Sequence, residues 1–173
     1  MILLPATHER GIMVVIGLPD KNPILELIVQ LALLHPVQVI VGGNRFDAHQ
    51  LARIIRRHTV QLDQTLARIQ QARPFTCYQA LKLLEDTKPT TPLVAIDLLI
   101  TFYDENISDS ESIRLVNIAI THLRRLGQQS PVLVTLRPSV TSTRSGLTNL
   151  IQNIADEVFV FDFPQESFQP PLF

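Results

Sequence analysis

Five short, largely apolar runs recur along this chain, and helical spacing fills most of the gaps between them. They are Gly11 to Ile16, Val37 to Val41, Leu93 to Ile96, Val132 to Leu136 and Val158 to Phe161. A run of four to six apolar residues without polar alternation suits a strand buried on both faces, as in a parallel sheet. Asn22-Pro23 opens the first intervening helix, asparagine suiting the N-cap and proline the first helical position. Leu27, Leu31 and Leu34 carry that helix to His35-Pro36. Asp47 with Gln50, Thr76 with Gln79 and Ser108 with Glu111 each have capping-box spacing ahead of an apolar helical stretch. Those stretches hold Leu51, Ile54 and Ile55; then Ala80 to Glu85; then Ile113, Val116, Ile120 and Leu123. Strict alternation of this kind predicts an α/β domain of three layers, with a mainly parallel central sheet and helices on both faces.

Composition narrows the class. The 173 residues suffice for one domain with a substantial core, and 46% hydrophobic against 18% charged residues excludes a disordered tail. Fifteen basic and 16 acidic side chains give a net charge of -1, which argues against a generally basic nucleic-acid binder and leaves room for a local patch. Cys77 is the single cysteine, so a disulfide scaffold and a cysteine-rich zinc domain are excluded. The start, Met1 to Pro5, lacks the basic region of a signal peptide. The greasiest window, Ile24 to Gly43, contains Glu26, Gln30, His35, Pro36 and Gln38 and reads as a helix followed by a strand, not a membrane span. The expectation is a cytoplasmic protein with no membrane partner. It has an N-terminal extension over 1–10, the domain over 11–162 and an irregular tail over 163–173.

Ligands of open α/β sheets bind beyond the carboxyl ends of the strands. The first such loop begins at Gly17, where a strand–loop–helix context is that of a phosphate-binding P-loop, G-x-x-x-x-G-K-[ST]. The eight positions here are Gly17-Leu18-Pro19-Asp20-Lys21-Asn22-Pro23-Ile24. The first glycine is present. Asn22, Pro23 and Ile24 replace the second glycine, the lysine and the hydroxyl residue. Proline offers no amide proton, and Asp20 adds negative charge where phosphates would sit. Lys21 and Gly17 are the remnant of such a loop. Asp97 ends a buried strand, as a magnesium-orienting aspartate would, but Asp162 ends another in the same way, and either suits a strand-end carboxylate satisfied by amides.

Several of these segments, in order, resemble the ATPase core of the RecA/RadA recombinase superfamily. They are Val37 to Arg56 through Phe46, Leu51 and Arg53; Leu66 to Arg73 with Phe75 and Gln79; Pro92 to Asp97 with Phe102; Leu115 to Leu126 with Pro131 to Thr135; and Ala155 to Val158. The likeness covers about residues 11 to 162 and implies a RecA-like, P-loop type fold in which Asp97 is the Walker B aspartate. The departures are specific. The family's water-activating glutamate falls at Gly43, and Leu136-Arg137 stand where a γ-phosphate-sensing glutamine should follow Thr135. Phosphoryl transfer needs positioning, a metal and a polarised water. The resemblance therefore implies a non-catalytic relative with no cofactor, serving DNA recombination or repair beside a RecA-type ATPase or a second copy of itself. Two alternatives stand. One is a weak ATPase holding ATP and magnesium through Gly17, Lys21 and Asp97; the other is a protein-interaction module with no DNA role.

The remaining candidates are weaker. Arg137 and Arg144 bracket a hydroxyl-rich loop that, by the same resemblance, would touch single-stranded DNA, although no aromatic lies there for stacking. Arg53, Arg56 and Arg57 share one helix face, suited to phosphate or carboxylate or simply to water. Asp104, Glu105, Asp109 and Glu111 fit the preference of a loop and helix start for negative charge. Five dispersed histidines show no metal-ligand spacing, so no metal site is expected. Cys77, just inside a helix start, is placed where its thiol pKa would fall, but it has no partner base. Ser145-Gly146 lacks the hydrolase elbow pattern. No catalytic residue is assigned.

Overall fold

In the computed structural model, residues 9–44, 46–137, 139 and 144–161 are described. The strands are β1 (Gly11–Ile16), β2 (Val37–Val41), β3 (Ile69–Ala72), β4 (Leu93–Ile96), β5 (Pro131–Leu136) and β6 (Glu157–Val160). The helices are α1 (Asn22–Leu34), α2 (Ala48–His58), α3 (Leu62–Arg68), α4 (Cys77–Asp86), α5 (Asp109–Gly127) and α6 (Gly146–Gln152), with a 3-10 helix over Leu98–Tyr103. All six strands pair in parallel, in the order β3-β2-β4-β5-β1-β6. This is the three-layer α/β fold expected from the apolar runs, and it is consistent with a RecA-like, P-loop type architecture.

The layers follow from connection handedness. A parallel crossover is right-handed, so the direction in which the chain steps across the sheet decides which face its helix covers. The steps from β1 to β2 and from β2 to β3 run one way, and α1 and α2 pack with Met13, Val15, Val39 and Val41 on one face. The steps through β4, β5 and β6 run the other way, and α4, α5 and α6 pack with Ile12, Val14, Ile40 and Val134 on the opposite face. Alternate residues of one strand thus feed two cores, which is why the sequence shows largely apolar runs.

Local signals set most helix starts. Asp47, Thr76 and Ser108 each accept the backbone N–H three residues on, at 2.9, 3.2 and 3.2 Å. Gln79 also reaches back, but to Phe75 N–H at 2.7 Å, while Glu111 turns to Arg114. The start of α1 differs from expectation. Lys21 is its N-cap residue, and Asn22 lies inside the helix with its own N–H bonded to the Asp20 carboxylate at 3.0 Å. Strand β3 lacks an apolar run because it is a sheet edge: Gln70 and Gln71 face water there, as polar edges that resist further pairing do. Cys77 is fully buried, and desolvation pushes its thiol pKa up, overriding the lowering expected at a helix start. Among the described residues no helix is long and apolar enough to cross a membrane. The expectations for 1–8, Asp162 and the 163–173 tail lie outside the described residues.

Candidate functional site

Adjacent strands β1 and β5 send their following helices to opposite faces, and so do β2 and β4. Each such switch opens a crevice at the carboxyl ends of the strands. Gly17, Gly42, Asp97 and Arg137 are the residues that leave β1, β2, β4 and β5 at that edge.

Asp97 is the centre of the site. It is 4% exposed and sits in the left-handed region at φ 51°, a conformation that costs a residue other than glycine about 1 kcal/mol and that aspartate tolerates better than most. Its N–H donates to Thr135 Oγ1 at 2.8 Å, and the threonine hydroxyl lies 3.4 Å from Asp97 Oδ1. The turn brings Oδ2 to two cations. Lys21 Nζ donates to it at 3.0 Å, and Arg137 Nη2 lies 3.3 Å away. The second contact is an ion pair without hydrogen-bond geometry, so that buried guanidinium nitrogen has no hydrogen-bond partner. Tyr103, whose phenol pKa is raised by burial, donates to the Arg137 carbonyl at 2.9 Å and fixes the chain as it leaves β5.

The neighbouring loop is closed in a complementary way. A helix N-terminus binds anions through its free N–H groups. Here Asn22 N–H is bonded to Asp20, Pro23 has none, and Ile24 and Leu25 N–H both donate to the Lys21 carbonyl at 3.0 Å. Asp20 therefore stands where an anion would. Gly17, at φ 74°, makes the left-handed turn by which the chain leaves β1. Beside it an open cleft of about 590 Å³ runs between the α1 and α2 starts, lined by Asp20, Lys21, Asn44, Phe46, Asp47 and His49 among others.

The structure thus joins three of the residues singled out from sequence, Lys21, Asp97 and Arg137, and places Gly17 next to them. It does not bring Arg144 to this site. Arg144 is 7% exposed and donates to Asp109 Oδ1 (2.8 Å), to the Phe102 and Asp104 carbonyls (2.6 and 3.0 Å) and to the Ile107 carbonyl. Such a guanidinium staples the 3-10 helix to the start of α5, its Nε, Nη1 and Nη2 all donating within the fold. Of the loop that Arg137 and Arg144 bracket, residues 138 and 140–143 lie outside the described residues. Sequence reasoning missed Thr135 as the partner of Asp97; its signal was a hydroxyl one residue from the end of an otherwise apolar strand. Among the described residues no group of three His, Cys, Asp or Glu side chains is arranged to hold a metal ion.

No family model matches this chain, and a search of curated proteins finds no match. The likeness to RecA/RadA recombinases rests on the residues quoted above.

Proposed function

We propose that this chain is a RecA-like domain without ATPase activity that acts as a binding or regulatory partner in DNA recombination or repair. One observation carries the inactive half of this reading: the Asp97 carboxylate, which would orient magnesium, is already neutralised by Lys21 and Arg137. The closed N-terminus of α1 supports it from the phosphate side. A magnesium–triphosphate would have to displace two cations from Asp97 and the Asp20 carboxylate from Asn22. Each exchange costs desolvation that the ligand's own contacts must exceed. The assignment to recombination or repair rests on the ordered segment likeness between residues 11 and 162, and the partner it implies is an intact RecA-type ATPase.

Calorimetry with ATP and magnesium tests the reading directly. The expected result is no binding tighter than about 1 mM, some 4 kcal/mol of standard free energy. Magnesium-dependent binding in the micromolar range would overturn it. That outcome would favour a weak ATPase in which Lys21 swings from Asp97 to a phosphate, and Lys21→Ala would then abolish the heat. A third reading, a protein module without a DNA role, is favoured by the engagement of Arg137 and Arg144 inside the fold. Titration with single-stranded DNA at two salt concentrations separates it, because phosphate contacts weaken steeply as salt rises.

A further inference from the structure

We propose that the apolar segment Ile2-Leu3-Leu4 docks on the domain of its own chain, filling a cavity at the amino ends of β1 and β5. The inference does not depend on the reading of Asp97, which follows β4 at the opposite edge of the sheet.

The cavity belongs to the core that α1 shares with the sheet. Met13 and Leu133 face each other in register on β1 and β5, and Leu27 and Leu31 of α1 close over them. Its volume is about 30 Å³, and its walls are mainly aliphatic. That is about twice the space one water needs, but water gains little where hydrogen-bond partners are few. The branched end of a leucine or isoleucine suits it better. The core is also thinnest here. Met13, Leu27 and Leu31 keep 8, 5 and 7% of their surface exposed, while Val15, Ile28 and Ala32 on the same elements keep none. Leu27, Leu31 and Leu34 form one helical stripe, and Leu34 is 72% exposed. An apolar strip thus runs from the cavity along the last turns of α1.

The path of the chain selects the occupant. Arg10 and Gly11 line the cavity, so the polypeptide enters the described structure at its mouth. Gly11, at φ 115°, makes a turn there that only glycine fits, since a β-carbon would lie 2.9 Å from Asp156 Oδ2. The same carboxylate accepts Ile12 N–H at 2.7 Å and pins the turn. Ile2-Leu3-Leu4 is the apolar run that precedes this mouth, joined to it by the six residues Pro5 to Arg10. Six residues reach about 20 Å when extended, and a helical stripe from Leu27 to Leu34 is about 10 Å long. The tether is long enough, and a short linker holds its segment at an effective concentration of millimolar order. An untethered apolar peptide competes against that advantage.

Methyl NMR on the full chain is the test. The sequence has two methionines, Met1 and Met13, so isotopic labelling of methionine methyl groups places one reporter in the cavity wall. In wild type the Met13 methyl should show nuclear Overhauser contacts to the methyl groups of residues 2–4. The double variant L3N/L4N should lose them, shift the Met13 signal and melt about 5 °C lower. A synthetic peptide of residues 1–10, added to that variant, should return the Met13 signal toward its wild-type position. T7S is the control and should change neither reading. A Met13 signal unmoved in L3N/L4N, with melting within about 1 °C of wild type as for an ordinary surface substitution, would overturn the proposal. So would contacts that disappear on dilution, which would put the segment on a second copy. ATP calorimetry on L3N/L4N reads the separate question of nucleotide binding, so failure of one reading is distinguishable from failure of the other.

Discussion

Gly42→Ala should lower the melting temperature of this chain by about 10 °C, corresponding to about 3 kcal/mol in a domain of this size. A β-carbon at Gly42 would lie 2.2 Å from the Asp97 carbonyl oxygen, 3.0 Å from its carbon and 3.3 Å from the Ile96 oxygen. All three are backbone atoms, so no side chain can swing aside. Gly42 N–H also donates to the Ile96 carbonyl at 2.8 Å, which clamps the ends of β2 and β4 together. Relief requires either parting that pair or shifting Asp97, already in a left-handed turn and tied to Thr135. The substitution therefore reaches the Lys21–Asp97–Arg137 cluster as well as the fold. Gly146→Ala is the matched control, because a β-carbon there meets nothing within 4 Å. Thermal unfolding followed by circular dichroism measures both, and a Gly42→Ala chain melting within about 2 °C of wild type would contradict the close approach.

Arg144→Met is expected to cost about 3 kcal/mol or more, read as a lowered urea midpoint with an unchanged slope. The side chain is buried, and its loss strands the carbonyls of Phe102, Asp104 and Ile107 and the Asp109 carboxylate. An unsatisfied buried acceptor costs about 1–3 kcal/mol, and water reaching the exposed side of Asp109 offsets part of the sum. Arg144→Lys should rescue little, because a single ammonium cannot reproduce a planar fork that engages four acceptors. A midpoint equal to wild type in Arg144→Met would remove the residue's structural role and reopen its availability to a ligand.

The sequence announced the architecture because burial on both faces leaves an unmistakable pattern. β1, β2, β4 and β5 fall within one residue of the apolar runs, since their side chains feed two cores at once. β3 was not legible as an apolar run, because an edge strand needs no such run and Gln70-Gln71 serve it better. α3 and α6, at seven residues each, are too short for an apolar stripe to emerge. At the site, composition was legible and pairing was not. Lys21 and Asp97 are 76 positions apart, and nothing in either segment states that one reaches the other. The partners of Arg144 were equally illegible, because a guanidinium in a hydroxyl-rich stretch looks the same from sequence whether it faces phosphate or carbonyl oxygens. Only the folded position of Phe102, Asp104 and Ile107 decides between them.

The place of β1 in the sheet bears on how the chain is made. Its two neighbours are β5 and β6, with Gly11 opposite Pro131 and Met13 opposite Glu157. β1 thus has no lateral partner among the described strands until residues 131–136 have been synthesised. Closing so long a loop slows assembly and keeps an apolar ribbon uncovered during translation. A nascent chain halted before residue 131 would hold an orphaned central strand, a natural substrate for chaperones and a seed for aggregation.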